Sequence, residues 1–534
     1  MKQPKAVEFE AAAMSLLQRF RIYCLASAAA LWSVVAVSCS SPNPSFCCTS
    51  DEDCAAFDVT ELRPCSDGLA CVANACEVAS CASDGCSTNA PVCDIVADTC
   101  VGCADSDDCV RFPESGVCDL TSGSCVQCAV ESDCGTGRPF CSQQTCVECL
   151  ISEDCASAQR PICDANACRG CTSDNDCDSQ VCDSDAGVCA VAATVLYASS
   201  NGSGSSMCTV EAPCSLPRAV ALASAQRFTI KLLPGTFTIN PDQNGPGLLL
   251  PGKKLTLHGF GATLNIAVSG ATFQAIDVRP GSDVLVRGLN VQYPNGESTT
   301  FDCLGNTVPS RLELDRVQVK ARSIIASNTC VVVIRRSTLT EDSTAVIVPP
   351  ISFANSTVSI DRTLIDGTAS FGIRVQTGSQ LKLTNSVIVD QSGDAMGAIL
   401  RSGDSGAVIS FTTFFKSHVV CNSQTPTDCS KALCFDNSIF LDGQTVSVSD
   451  SVEGAGCTHS HNIAFPQLGS LSGTGNQINV NPKLVAPASG DFKLQSTSPA
   501  VDAGDPSTTI EVDFDGNPRP VGSRPDLGAF ELQR

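Results

Sequence analysis

Three arginines, Arg316, Arg336 and Arg362, hold the same place in the stretches LELDRVQVK (312–320), VVIRRSTLT (332–340) and VSIDRTLID (358–366). If those stretches stack, the guanidiniums lie a few ångströms apart and repel unless carboxylates or a bound anion compensate. Asp315, Asp361 and Asp366 are placed to compensate. Two readings stay open. Either the strip binds an anionic polymer such as a uronate-containing polysaccharide, or it is a solvated salt-bridge network.

Other residues of chemical type lead less far. Asp390, Asp394 and Asp404 form the nearest acidic set, in Gly/Ser-rich text where Asp is an ordinary turn residue. Gly403-Asp404-Ser405-Gly406 imitates a serine nucleophile loop but lacks any matching His and Asp context. His459 and His461 beside Cys457 are metal-ligand types. With Cys421, Cys429 and Cys434 nearby, the better reading is two disulfides that tie down a long loop. Aromatic stacking surface for sugars is scarce, since Trp32 is the only Trp and only Tyr197 and Tyr293 follow the first 30 residues. No catalytic set can be named and no metal site is expected.

Cysteine is the most abundant reactive type, 36 in 534 residues. Four-cysteine units run as Cys103, Cys109, Cys118, Cys125, then Cys128, Cys134, Cys141, Cys146, then Cys149, Cys155, Cys163, Cys168, then Cys171, Cys177, Cys182, Cys189. Looser copies begin near Cys48 and Cys81. Units this poor in large apolar residues need disulfides in place of a core, which implies an oxidising compartment. Four cysteines allow three connectivities, and the sequence leaves them open. Acidic residues recur before the second cysteine (Asp107-Asp108, Asp133, Glu153-Asp154, Asp174 with Asp176), with Ca²⁺ ligation or a solvated acidic face as alternatives. The glycine and spacing of an EF-hand loop are missing, which favours the face.

What must position the arginines is the pattern that carries them. Copies return about every 25 residues from LTLHGFGAT (255–263) through VLVRGLNVQ (284–292) to LCFDNSIFL (433–441), apolar at positions one and three. Alternation over five residues marks a strand, and a fixed period of 20–50 residues marks stacked repeats. The expected fold is all-β, a right-handed parallel β-helix preceded by a disulfide-rich region with little regular secondary structure. Stacking puts Leu312/Leu314, Val332/Ile334 and Val358/Ile360 inside. The fourth position becomes an outward column of His258, Arg287, Asp315, Arg335, Asp361, Thr384, Ser410 and Asp436, expected as an exposed ion-pair ladder. The fifth position is a corner.

Composition divides the chain the same way. Residues 47–190 hold 26 Asp and Glu against 5 Lys and Arg, whereas 191–534 hold 28 against 24. An acidic neighbour on a nearly neutral repeat disfavours nucleic-acid binding. Arg19 and Arg21 precede the apolar run Ile22–Val37, which ends Ala36-Val37-Ser38-Cys39, the pattern of an export signal, with Met14 a better start than Met1. The domains expected are a signal (1–38), a polar tether (39–46), acidic cysteine repeats (47–190) and a β-helix (191–534).

Three resemblances accompany this reading. Cys39 after small residues resembles a bacterial lipoprotein box, with Ala36 where Leu is usual; it implies lipidation at Cys39 and a membrane contact through lipid alone, with simple secretion or a periplasmic location as the other reading. The cysteine array resembles repeats of myxobacterial surface proteins and implies a stalk or interaction module. Tyr197-Ala-Ser-Ser-Asn201-Gly-Ser-Gly204, the Cys208/Cys214 pair and a helical Leu216–Gln226 resemble the opening of pectate-lyase-like β-helix proteins. Ser498-Pro-Ala-Val-Asp502-Ala-Gly504, Asp513-Phe-Asp515-Gly-Asn517-Pro-Arg519-Pro and Pro525-Asp526-Leu-Gly528-Ala-Phe530-Glu531 resemble the end of the choice-of-anchor Q family. Together these imply an outer-membrane or surface protein that is structural or binds polysaccharide or other envelope components, without a cofactor. The alternative is a polysaccharide lyase or glycosidase.

Overall fold

The computed structural model describes residues 69–72, 75–78, 81, 85–240 and 247–533, the last with breaks at 251, 268–274, 294–298, 306, 322, 342–350, 368–371, 390–398, 402–403, 418, 423–428, 443–444, 449–454, 467–470 and 472. Cys39, the apolar run before it, Cys48, Asp390 and Asp394 lie outside the described residues. Among the described residues, no helix is long and apolar enough to cross a membrane. The chain divides into compact units Met1–Gly170 and Cys171–Arg534, so the last cysteine repeat belongs with the β-helix.

In the first unit the repeats that begin at Cys103, Cys128 and Cys149 are each a 3₁₀ turn followed by a short hairpin. Ser106–Cys109 with Val117–Asp119 and Ser124–Val126 is one such set. The hairpin places the third and fourth cysteines directly opposite each other, as with Cys118↔Cys125, Cys141↔Cys146 and Cys163↔Cys168. They bond outward rather than to each other. Cys103–Cys118 with Cys109–Cys125, Cys128–Cys141 with Cys134–Cys146, and Cys149–Cys163 with Cys155–Cys168 all pair first to third and second to fourth. Cys81–Cys93 and Cys86–Cys100 follow the same rule. Closing a loop of this length stabilises by roughly 3 kcal/mol on chain-entropy grounds.

The recurrent acidic residue is a cap rather than a bare solvated face. Asp133 Oδ2 accepts from the N–H groups of Ala129 and Val130, and Asp154 Oδ2 from those of Leu150 and Ile151. Asp108 does the same for Ala104 and Asp105. A carboxylate here takes up the orphan donors that begin a helical turn.

Among the described residues the second unit is all-β apart from one α-helix and four short 3₁₀ turns, with parallel strands in three sheets of thirteen, eleven and seven. Ladders are in register, so Val286, Leu314, Ile334, Ile360, Leu383, Ile409 and Phe435 form one unbroken buried column. The helix Leu216–Leu222 starts on Pro217 and buries Leu216, Ala219 and Val220 against the first rungs. Cys208–Cys214 braces the entry beside it. Cys429–Cys434 closes a short loop, and Cys457 is disulfide-bonded. Cys171–Cys182 and Cys177–Cys189 repeat the alternating pairing in this unit. One disulfide escaped the sequence reading, Cys303–Cys330 between adjacent rungs. Its signal was available, because these are the only cysteines between Cys214 and Cys421 and stand one rung apart.

The corner is built from two devices. From the second copy onward every fifth-position residue is left-handed, with φ of 66° at Gly288, 54° at Arg316, 51° at Arg336, 49° at Arg362, 46° at Asn385, 50° at Phe411 and 52° at Asn437, whereas Gly259 in the first copy is not. Such a column is costly for non-glycine residues. It is offset because each fifth N–H reaches the fourth carbonyl of the next rung, as Arg316 to Arg335 and Arg336 to Asp361 do. The sixth position then faces inward, apolar at Leu289 and Val317 and a hydroxyl at Ser337, Thr363, Ser386, Thr412 and Ser438. Ser386 Oγ accepts from the Thr363 N–H and donates to the Thr384 carbonyl, and Ser438 does likewise for Thr412 and Asp436. These hydroxyls are fully buried. They satisfy donors that the turn removes from the ladder.

Candidate functional site

The register aligns His258, Arg287, Asp315, Arg335, Asp361, Thr384, Ser410 and Asp436, as the repeat implied. Exposure differs from expectation. His258, Arg287 and Asp315 are 1%, 5% and 0% exposed. An edge column stays open only if nothing lies over it, and here two segments distant in sequence cover it.

The first cover is the cysteine repeat Cys171–Cys189. Asp174 accepts from Lys231 Nζ and pairs with His258 Nε2 at 2.7 Å. Asp183 accepts from Arg287 Nη1 at 2.9 Å, and Arg287 Nε donates to Asp315. Asp185 takes Arg336 through both carboxylate oxygens and Arg316 Nη2 at 2.7 Å, while Arg316 Nη1 donates to Ser184. Arg336 also donates to Asp315 at 2.8 Å. Fork-shaped guanidinium–carboxylate pairs of this kind are the strongest ordinary polar contacts. The Arg336 hydrogen bonds hold the Asp185 carboxyl far below its usual range, against burial. Burial pushes Asp174 upward, but hydrogen bonds from His258, Lys231 and the Cys182 N–H outweigh it and hold it at about 2.

Of the proposed strip, Arg316 and Arg336 are brought together on Asp185, a carboxylate that the sequence reading did not consider, and Asp315 accepts from Arg336 beside them. Arg362 stands apart and donates to Asp361, which also accepts from Thr384 and Asn385. A signal for Asp185 exists. Aligning Cys182–Cys189 on the equally long Cys118–Cys125 puts Asp183 on Asp119 but Asp185 on Thr121, so the last repeat alone carries the second acid at this place among these two.

The second cover is the closing segment, where the motif residues serve architecture. Asp513 accepts from the N–H groups of Asn517 and Glu531. Asp526 accepts from Asp502 and Leu532, and Glu531 from Val521 and Asp526. Arg519 donates to the Asp526 and Gly528 carbonyls and lies 4.2 Å over the Phe411 ring. Burial lowers Arg519 to about 10 and raises Asp526 and Glu531. Gly528, at φ 85°, donates to the Asn437 carbonyl where a methyl would meet Ile439 at 2.5 Å.

A cleft of about 530 Å³ between the last repeat and the outer sheet face holds Asp183, Asp283 and Glu313 with Lys254, Arg287 and Arg311. Each carboxylate has a guanidinium partner: Asp183 with Arg287, Asp283 and Glu313 with Arg311. His459 and His461 do not converge. His459 is a core residue stacked on Phe435 at 5.3 Å, whereas His461 turns the outer corner near Asp505.

No protein family and no curated protein matches the chain. Among solved structures it is similar to pectate lyase Pel9A, with 14% identity, a TM-score of 0.39, and coverage of 64% of this chain and 96% of that one. It is also similar to a rhamnogalacturonan lyase, with 9% identity, a TM-score of 0.32, and coverage of 57% and 95%. Likeness at this level says nothing of activity or ligand.

Proposed function

We propose that the chain is an exported envelope or surface protein, lipid-anchored through Cys39, whose β-helix is a structural and polysaccharide-binding module carried by the cysteine repeats as a stalk. One observation supports this reading above others. The last repeat is fixed to the β-helix by carboxylates of its own, Asp174, Asp183 and Asp185, which suits a stalk that holds its module rigidly. Guanidiniums aligned on successive rungs, Arg316 and Arg336, suit acidic glycans once their carboxylate partners give way. The test is a panel of acidic and neutral glycans incubated with the mature protein. The expected result is retention of acidic glycans without cleavage. Unsaturated products or new reducing ends would replace this reading with a lyase or hydrolase. Cys39→Ala is expected to move the protein from the membrane fraction to the soluble one.

A further inference from the structure

We infer that the tip of the last cysteine repeat, Asp183-Ser184-Asp185, is a built-in occupant of the anion site formed by Arg287, Arg316 and Arg336, and that a linear carboxylated polymer binds this site by displacing it. The inference rests on the glycan-binding reading above and names the residue that blocks it.

Three observations carry it. The first is charge. Among the side chains that ion-pair along these rungs, the β-helix contributes Lys231, Arg287, Arg311, Arg316, Arg335 and Arg336 against Asp283, Glu313 and Asp315, leaving His258 aside. That surplus of three positive charges equals the three carboxylates Asp174, Asp183 and Asp185 that the repeat brings. A flank needing only structural neutrality could have carried its own acids, as Asp361 does for Arg362.

The second is packing. The Asp183 and Asp185 side chains remain 47% and 37% exposed. Clefts of about 530 and 580 Å³ lie between the repeat and the rungs. The tip Asp183-Ser184-Asp185 has no apolar side chain of its own and meets the rungs through Arg287, Arg316 and Arg336. The third is the base of the repeat, which is attached differently. Val181 packs with Val195 and Tyr197, and Tyr197 Oη donates to the Ser179 carbonyl at 2.9 Å. A tip held by ion pairs can lift while a base held by apolar burial stays.

The test uses the full chain and Asp183→Asn/Asp185→Asn, which keeps side-chain shape and the turn while removing charge. Polygalacturonate is the probe and dextran the neutral control. Affinity for polygalacturonate at low salt is expected to rise at least tenfold over the wild type, and adding Arg316→Gln/Arg336→Gln should remove the gain. Equal affinity of wild type and variant would overturn the plug while leaving glycan binding intact. No binding by either would overturn both readings. In the wild type, polygalacturonate should also speed protease cutting at 183–187, with the β-helix melting temperature unchanged. An unchanged cutting rate with polymer bound would overturn displacement.

Discussion

The flank of the β-helix is covered twice, and the two covers work by opposite physics. Over Lys231 to Arg336 the last cysteine repeat lays carboxylates on guanidiniums, partly in water. Over Phe411 to Asn437 the closing segment uses backbone hydrogen bonds around one buried cation, Arg519. A contact made of charge answers to salt and acid. A contact made of shape answers to atoms removed. The same solenoid surface thus has one end that salt can loosen and one that it cannot.

The difference can be pressed hardest at Arg519. Arg519→Leu should cost about 3–5 kcal/mol, because Asp526 and Glu531 stay buried without their cation. Chemical denaturation at low and high salt should give the same loss. Strong salt dependence would erase the contrast between the covers.

Acid should separate them next. Asp174 has a folded pKa of about 2 against the ordinary aspartate value of 3.8, so its stabilisation is present above about 3.8 and lost as pH falls towards 2. That is worth about 2 kcal/mol. Asp526 and Glu531 are raised by burial, so their contribution is favoured by acid and lost as pH rises through their folded values. Hydrogen exchange between pH 4 and 2 should therefore show the last repeat losing protection before the closing segment does. Simultaneous loss would contradict the assignment.

A smaller effect, about 1–2 kcal/mol and salt-sensitive, is expected for Asp185→Asn in thermal melting, since partly exposed pairs are screened. The smallest is Asp176→Ala. Asp176 Oδ2 accepts from the Thr172 and Ser173 N–H groups, and losing such a cap costs about 1 kcal/mol. It should raise proteolysis within the repeat without altering the salt response.

Much of this architecture was legible in the residues. Local alternation fixes which side chains face inward, so the columns through Leu314 and Ile334 and the corner at the fifth position follow from the repeat itself. The disulfide connectivity did not follow, because three pairings satisfy the same spacing and the hairpin geometry chooses among them. Nor did the two covers. Asp185 meets Arg336 across 151 residues and Asn437 meets Asp505 across 68, and no periodicity encodes either contact. The fourth column therefore looked exposed, since a repeat read by itself shows only its own rungs. Sixth-position Ser and Thr were equally opaque, because buried hydroxyls read as ordinary surface residues until the left-handed corner shows which donors they must serve.

The hydroxyl-lined corner also governs where this chain can change length. Between matched inner positions the rung takes 29 residues from Leu257 to Val286, yet only 20 from Leu314 to Ile334. From Val286 onward the segment from the first sheet through the corner into the second keeps a constant count, as from Val286 to Val291 and from Leu314 to Val319, and the slack falls elsewhere on the circumference; the two rungs before it hold two more residues there, Ile230 to Phe237 and Leu257 to Leu264. In the constant rungs, one inserted residue at the corner would send the next inward side chain outward and strand a buried N–H. There, insertions and deletions are confined to the far turns, leaving that stretch of the flank a fixed edge against which novel loops can be added and lost.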